Sequence, residues 1–152
     1  LQVVNDLQAV FTRQLTLSVP LVAAINGHAF AGGGLIALGC DIRVMRDDRG
    51  FFCLPEADIN IPFSQGMSDL VREKLSPATA RDVMLSGRRY TADEALAAGI
   101  VDAVVPEDQV VAKAIELAQP FAGKSRDTVR TIKQRMYERA IGSLAERIDL
   151  GL

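Results

Sequence analysis

The sequence predicts an α/β fold, one α/β unit followed by a helical C-terminal part. Three observations predict it. Short, partly β-branched apolar runs alternate with stretches whose apolar residues recur every three to four positions. The triplet Gly32-Gly33-Gly34 stands between a strand-like run and an apolar segment suited to a buried helix. The second half carries clear helix caps and stops. No repeat or low-complexity linker interrupts the 152 residues, and 49% hydrophobic content at that length suffices to bury a core.

Taken in order, Leu1 to Leu17 places Val3/Val4, Leu7, Val10/Phe11 and Leu15 on one stripe of a helix. Pro20 opens the run Leu21 to Ile25, which Asn26-Gly27 closes, as expected of a buried strand. The glycine triplet leads into a helix-like segment ending near Cys40, and Asp41 to Met45 alternates as a strand. Asp47 to Gly50 is a polar turn, and Leu54 to Ile59 reads as a second strand-to-loop passage closed by Pro62. Ser76-Pro77 and Gly87 bracket a helix, Thr91 to Glu94 is a capping box, and Gly99 precedes a strand expected over Ile100 to Val105. Pro106 starts a helix running to near Phe121, and a last amphipathic helix is expected from about Ser125 toward Ile148.

Composition removes several functions. Nineteen acidic against 17 basic side chains leave a net charge of −2, with no basic excess for binding nucleic acid. The longest apolar runs, such as Val19 to Ile25, fall far short of the roughly 20 residues of a membrane span, so no membrane partner and a cytoplasmic location are expected. Two cysteines, Cys40 and Cys53, and a single histidine, His28, cannot supply the usual ligands of a zinc site; no metal is expected, and the cysteines read as small core hydrophobes.

Chemistry is suggested first by Gly32-Gly33-Gly34. Glycines at a strand-to-helix junction let a ligand approach the backbone, and the free N–H groups of the helix start suit an anion or a developing oxyanion. A tight turn without a ligand is the alternative. No Lys-Ser/Thr follows the glycines and no dinucleotide fingerprint fits. Glu56 comes second: it follows Pro55 at the end of the apolar stretch Phe51 to Leu54, where desolvation would raise its pKa toward that of a general base. A lone strand-end Glu is otherwise a solvated or capping residue. Asp58, two residues on, could share its side if the segment is extended, as an auxiliary carboxylate. A triad of His28, Ser64 or Ser68 and Asp58 lacks a nucleophile-elbow context. Arg88-Arg89 could meet a ligand phosphate, or face water or a neighbouring subunit.

The run from Val19 through Asn26-Gly27-His28-Ala-Phe-Ala-Gly-Gly-Gly34 to Arg43, then Phe52-Cys-Leu-Pro-Glu-Ala-Asp-Ile59, then Leu85-Ser-Gly-Arg-Arg-Tyr-Thr-Ala-Asp-Glu-Ala to Pro106, resembles the signature of the enoyl-CoA hydratase/isomerase (crotonase) superfamily. The resemblance implies a spiral of ββα units. Residues 1–105 would be the C-terminal part of the crotonase-like core and 106–152 a helical trimerisation region. It also implies an oxyanion hole for the thioester carbonyl of an acyl-CoA substrate, with CoA part of the substrate and no separate cofactor, and a homotrimer or hexamer. Chain start at Leu1, inside the helix stripe, carries the expectation that an N-terminal part supplying the second oxyanion donor precedes it.

By the same resemblance, Glu56 and the Gly33 N–H are the catalytic groups, and Gly32, Gly34, Pro55 and Phe63 contact substrate. Hydratases of the family carry a second glutamate where this chain has Ile36. Hydration is most easily served by two carboxylates sharing a water, whereas one carboxylate can move a proton from C2 to C4. The stretch Pro55 to Phe63 resembles the isomerase branch. The expectation is therefore a Δ3,Δ2-enoyl-CoA isomerase acting in fatty acid metabolism, with an enoyl-CoA hydratase, a lyase, or a non-catalytic acyl-CoA binder as alternatives.

Overall fold

Helix α1, Gln2–Thr16, turns its apolar stripe inward, burying Phe11 and Leu15 fully while Val3 and Val10 stay exposed. The structure, a computed structural model, describes residues 2–148; Leu1, at the head of the expected helix, lies outside them. Strands β1 (Val22–Ile25), β2 (Ala29–Phe30), β3 (Ile42–Arg46), β4 (Phe52–Cys53) and β5 (Ala103–Val105) form two parallel sheets, β1-β3-β5 and β2-β4. Val22 pairs with Ile42 and Val44 with Ala103 in the larger sheet. Helix α2, Gly32–Gly39, links β2 to β3.

Six further α-helices follow among the described residues, two of them on the predicted caps and stops. Helices α3 (Gln65–Lys74) and α4 (Pro77–Ser86) start on Ser64 and Ser76, whose hydroxyls accept the N–H groups of Met67 and Thr79. Gly87 ends α4 in the left-handed region, and α5 (Ala92–Ala97) carries the full Thr91/Glu94 capping box. Helix α6 (Val110–Ala118), flanked by 3-10 turns, lays Val110 and Ala114 on Val44 of the larger sheet. The main core gathers Phe11, Leu15, Leu38, Met45, Phe52, Leu54, Leu70 and Ile100 between the sheets and α1 to α5.

Three expectations are corrected. The strand from Ile100 is shorter: the N–H groups of Ile100 and Val101 donate to Ala95 O at the end of α5, so pairing begins only at Ala103. The passage after Leu54 is a turn, because Pro55 has no N–H to extend a ladder and its carbonyl accepts from Asp58 and Ile59. The last helix is two, α7 (Arg126–Met136) and α8 (Glu138–Leu144), broken at Tyr137 (φ −108°, ψ 17°).

That break serves a buried polar cluster. Tyr137 Oη donates to Asp41 Oδ1 (2.9 Å), Lys133 Nζ donates to Asp41 Oδ2 (2.9 Å), and the Leu21 N–H reaches the same oxygen (2.8 Å). Lys74 Nζ lies 3.7 Å from the carboxylate and 4.0 Å from the Tyr137 ring centroid. Burial pulls the Lys74 ammonium down to about 8. Among the described residues no helix is long and apolar enough to cross a membrane, and no group of three His, Cys, Asp or Glu side chains could hold a metal.

Candidate active site

The two-stranded sheet β2-β4 sets the geometry. Pairing of Ala29 with Phe52 and Phe30 with Cys53 runs both strands in the same direction, so both end at one edge. There the Ala31 N–H donates to Cys53 O (2.9 Å), joining the two chain exits. One exit becomes the first turn of α2 and the other becomes Leu54-Pro55-Glu56. Glycine is required for this contact. A Cβ on Gly34 would sit 2.8 Å from Leu54 Cδ2, 3.1 Å from Ala29 O and 3.4 Å from Cys53 O.

The start of α2 presents donors. Its first intrahelical bond is Leu35 N–H to Ala31 O (2.9 Å), leaving the N–H groups of Gly32, Gly33 and Gly34 without a backbone partner among the described residues. Gly33 is exposed, and a Cβ there would meet nothing within 4 Å. Ala31, the residue before the helix, is held at φ 48°, a conformation costing a non-glycine residue about 1–3 kcal/mol, of the kind that collects at functional sites.

Glu56 supplies the opposite character. It is 8% exposed, and its buried Oε2 has no hydrogen-bond partner among the described residues. Burial pushes its pKa above the usual carboxylate value; the hydrogen bond from its own backbone N–H opposes this only partly. A carboxyl held dry and unpartnered is a stronger base when ionised and a ready donor when protonated. The structure thus brings the glycine run and Pro55-Glu56 together at one strand edge.

Other expected groups fall elsewhere. Asp58 is exposed on the turn after Glu56, where its carboxylate rests against Gly87, so the extended arrangement that would range it beside Glu56 is not formed. Phe63 is half-buried against the main core, before the cap of α3. Pro55 is half-buried in the turn. Ile36 is 40% exposed on α2. No triad assembles: His28 Nδ1 accepts the Phe51 N–H (3.1 Å), while Ser64 Oγ donates to Gln8 (2.7 Å) and caps α3. Arg88 pairs with Glu94 and lies over Tyr90; Arg89 lies over Phe30, 5.5 Å from its centroid. Both cysteines are buried.

Sequence reasoning did not find two features. The φ of Ala31 has no sequence signal. Gly87 was legible as a helix stop, but not as the residue beside the Asp58 carboxylate.

Comparison with known proteins adds independent findings. A family model described as Enoyl-CoA hydratase/isomerase matches residues 2–150. Enoyl-CoA delta isomerase 2, peroxisomal, of Arabidopsis thaliana is 35% identical over 148 residues, covering 94% of this chain and 62% of the relative. Carnitinyl-CoA dehydratase of Proteus mirabilis is 38% identical over 124 residues, covering 81% of this chain and 47% of the relative. Among solved structures, an enoyl-CoA hydratase of Mycobacterium marinum superposes with TM-score 0.82 at 23% identity, over 92% of this chain and 62% of that one. A monofunctional enoyl CoA isomerase of M. smegmatis gives TM-score 0.74 at 29% identity, over 88% and 63%. The chain therefore spans about half to two thirds of the length of these proteins.

Proposed function

Since the chain belongs to the enoyl-CoA hydratase/isomerase (crotonase) family and shares its fold, we propose that the protein moves a double bond of an enoyl-CoA thioester from the 3,4 to the 2,3 position. Ionised Glu56 takes a proton from C2. The electron pair left behind delocalises onto the thioester oxygen as an enolate, which accepts from the Gly33 N–H at the positive end of α2. Protonated Glu56 then returns the proton to C4 as the enolate collapses, so no atom is gained or lost. Gly32 and Gly34 shape the backbone cradle, and Pro55 and Phe63 flank the substrate. The second oxyanion donor would come from a part of the complete protein outside this chain. The reading needs no metal or separate cofactor, and places a homotrimer or hexamer around the site.

The observation that carries this reading is the buried Glu56 carboxyl, its Oε2 without a partner among the described residues, at the same strand edge as the free N–H groups of Gly32 to Gly34. The test is an assay of the complete protein with 3-enoyl-CoA and 2-enoyl-CoA. Isomerisation of the first is expected, with a loss of ~10² to 10⁴ in kcat for Glu56→Gln. An unimpaired Glu56→Gln enzyme would remove the residue from its role.

A second reading, addition or removal of water across the double bond, is favoured by likeness to the carnitinyl-CoA dehydratases. Fast hydration of 2-enoyl-CoA by the same preparation would select it. Binding of acyl-CoA with neither reaction would mark a non-catalytic relative.

A further inference from the structure

Helices α1 and α2 lie side by side in a fixed register. A Cβ on Gly32 would come 3.4 Å from Leu7 Cδ1, and one on Gly39 would strike the side chain of Gln14, whose Nε2 donates to Ile36 O (2.9 Å). Leu7 to Gln14 and Gly32 to Gly39 are both two-turn steps, so the helices run parallel with Leu7 level with Gly32. Helix α1 begins at Gln2 and therefore starts about 7 Å ahead of α2. Its first turn flanks the space in front of the Gly32 to Gly34 N–H groups. The Glu56 turn borders that space from the other side. Gly34 stands about 200° around α2 from Gly32, and a Cβ there would press on Leu54 Cδ2 (2.8 Å), two residues before Glu56.

Val3 holds the matching place on α1. It lies one turn before Leu7, on the line through Leu7 and Gln14, and about 6 Å ahead of Gly32. An oxygen accepting from the Gly33 N–H sits about 3 Å from that nitrogen, so the carbons bonded beyond it stand at the height of Val3. Val3 is 69% exposed although it belongs to the stripe that faces α2, because α2 starts too late to cover it. Val4 backs it, half-buried against the main core. We propose that Val3 is a specificity-determining residue that closes the face of the enoyl chain opposite Glu56. When C2 turns one hydrogen toward the Glu56 carboxylate, its other substituent points at Val3. That wall admits a hydrogen and turns away a methyl group, so the site selects enoyl thioesters unbranched at C2.

This role rests on the thioester being held at Gly33 beside Glu56, as proposed above, and the experiment keeps the two apart. The complete protein is assayed with an unbranched 3-enoyl-CoA and its 2-methyl counterpart. Val3→Ala should raise the ratio of kcat/KM for the 2-methyl substrate to that for the unbranched one by about 10- to 100-fold, the usual weight of one carbon in a fitted apolar site. Val3→Phe should lower kcat/KM for the unbranched substrate by about tenfold or more. Val10→Ala is the control: Val10 is exposed on α1 seven residues on, beside α2 rather than ahead of it, and the ratio should stay at the wild-type value. An unchanged ratio in Val3→Ala overturns the proposal and leaves the activity standing, as does a shift of equal size in Val10→Ala.

Two readouts guard the outcome. Val3 is exposed, so the melting temperatures of its variants should match wild type, which separates loss of fit from loss of fold; should Val3→Phe lose stability, Val3→Ala decides alone. Should the wild-type protein turn over neither enoyl-CoA, the functional reading fails, and calorimetric binding of butyryl-CoA and 2-methylbutyryl-CoA takes the place of rates. Val3→Ala should then gain about tenfold in affinity for the branched thioester relative to the unbranched one. Equal preference in wild type and Val3→Ala, or no binding of either thioester, overturns the proposal.

Discussion

Glu56 is kept at a cost to the fold. Because burial raises its pKa, the native state holds the proton more tightly than the unfolded chain does. The stabilisation from that proton is fully present below the unfolded carboxylate pKa and is lost as pH rises through the higher folded value. Glu56→Gln, which keeps the shape and cannot ionise, should therefore melt at or above the wild-type temperature at pH 7, with the advantage shrinking in acid. A calorimetric pH series checks this, and a variant less stable than wild type at neutral pH would contradict it. Gly33 offers the complementary test. Proline is tolerated in the first turn of a helix and removes only the N–H. Gly33→Pro should fold and lower kcat by ~10² to 10³, the usual weight of one oxyanion donor, whereas Gly33→Ala, with nothing within 4 Å of its Cβ, should retain the fold and the donor. Circular dichroism and initial rates on the complete protein decide between them.

At the level of elements, the Asp41 cluster fastens α7 to the sheet. Burial alone would raise the Asp41 pKa. The Lys133 hydrogen bond, the Leu21 N–H and the charges of Lys74 and Lys133 outweigh it and hold the carboxyl below its ordinary value. Stability from this group is present above the unfolded pKa and lost as pH falls through the folded one. Asp41→Asn should leave Lys133 buried without its counter-charge and destabilise by about 3–5 kcal/mol, as broken buried pairs do, which urea melts would register. The cluster also explains why two helices replace the one expected after Ser125. The periodicity of Val129, Ile132 and Met136 describes local packing correctly. The interruption at Tyr137 answers to an aspartate 96 positions away, which no local pattern encodes. Likewise the strand expected from Ile100 begins later because α5 claims the first two N–H groups.

For the molecule as a whole, apolar side chains remain exposed after the core is complete: Val111 and Ile115 on α6, Phe121, and Ile132 and Met136 on α7. Surfaces of this kind mark association sites, in keeping with the trimer or hexamer proposed above. Light scattering on the complete protein should give a multiple of three; a monomer would remove that proposal. The caps and stops of α4 and α5, the strands β1 and β3, the glycine run and the Pro55-Glu56 pair were readable along the chain, because each rests on neighbouring residues and on short hydrogen bonds within a turn. Family membership was readable for the same reason, since motifs in order survive without coordinates. Three-dimensional packing settled the rest. It put Asp58 against Gly87 rather than beside Glu56, bent the last helix at Tyr137, and left the Glu56 oxygen dry and unpartnered next to the start of α2. A side chain's identity says which proton it could move, while its hydration and its distance from opposing charges set when that proton moves, and those exist only once distant segments meet.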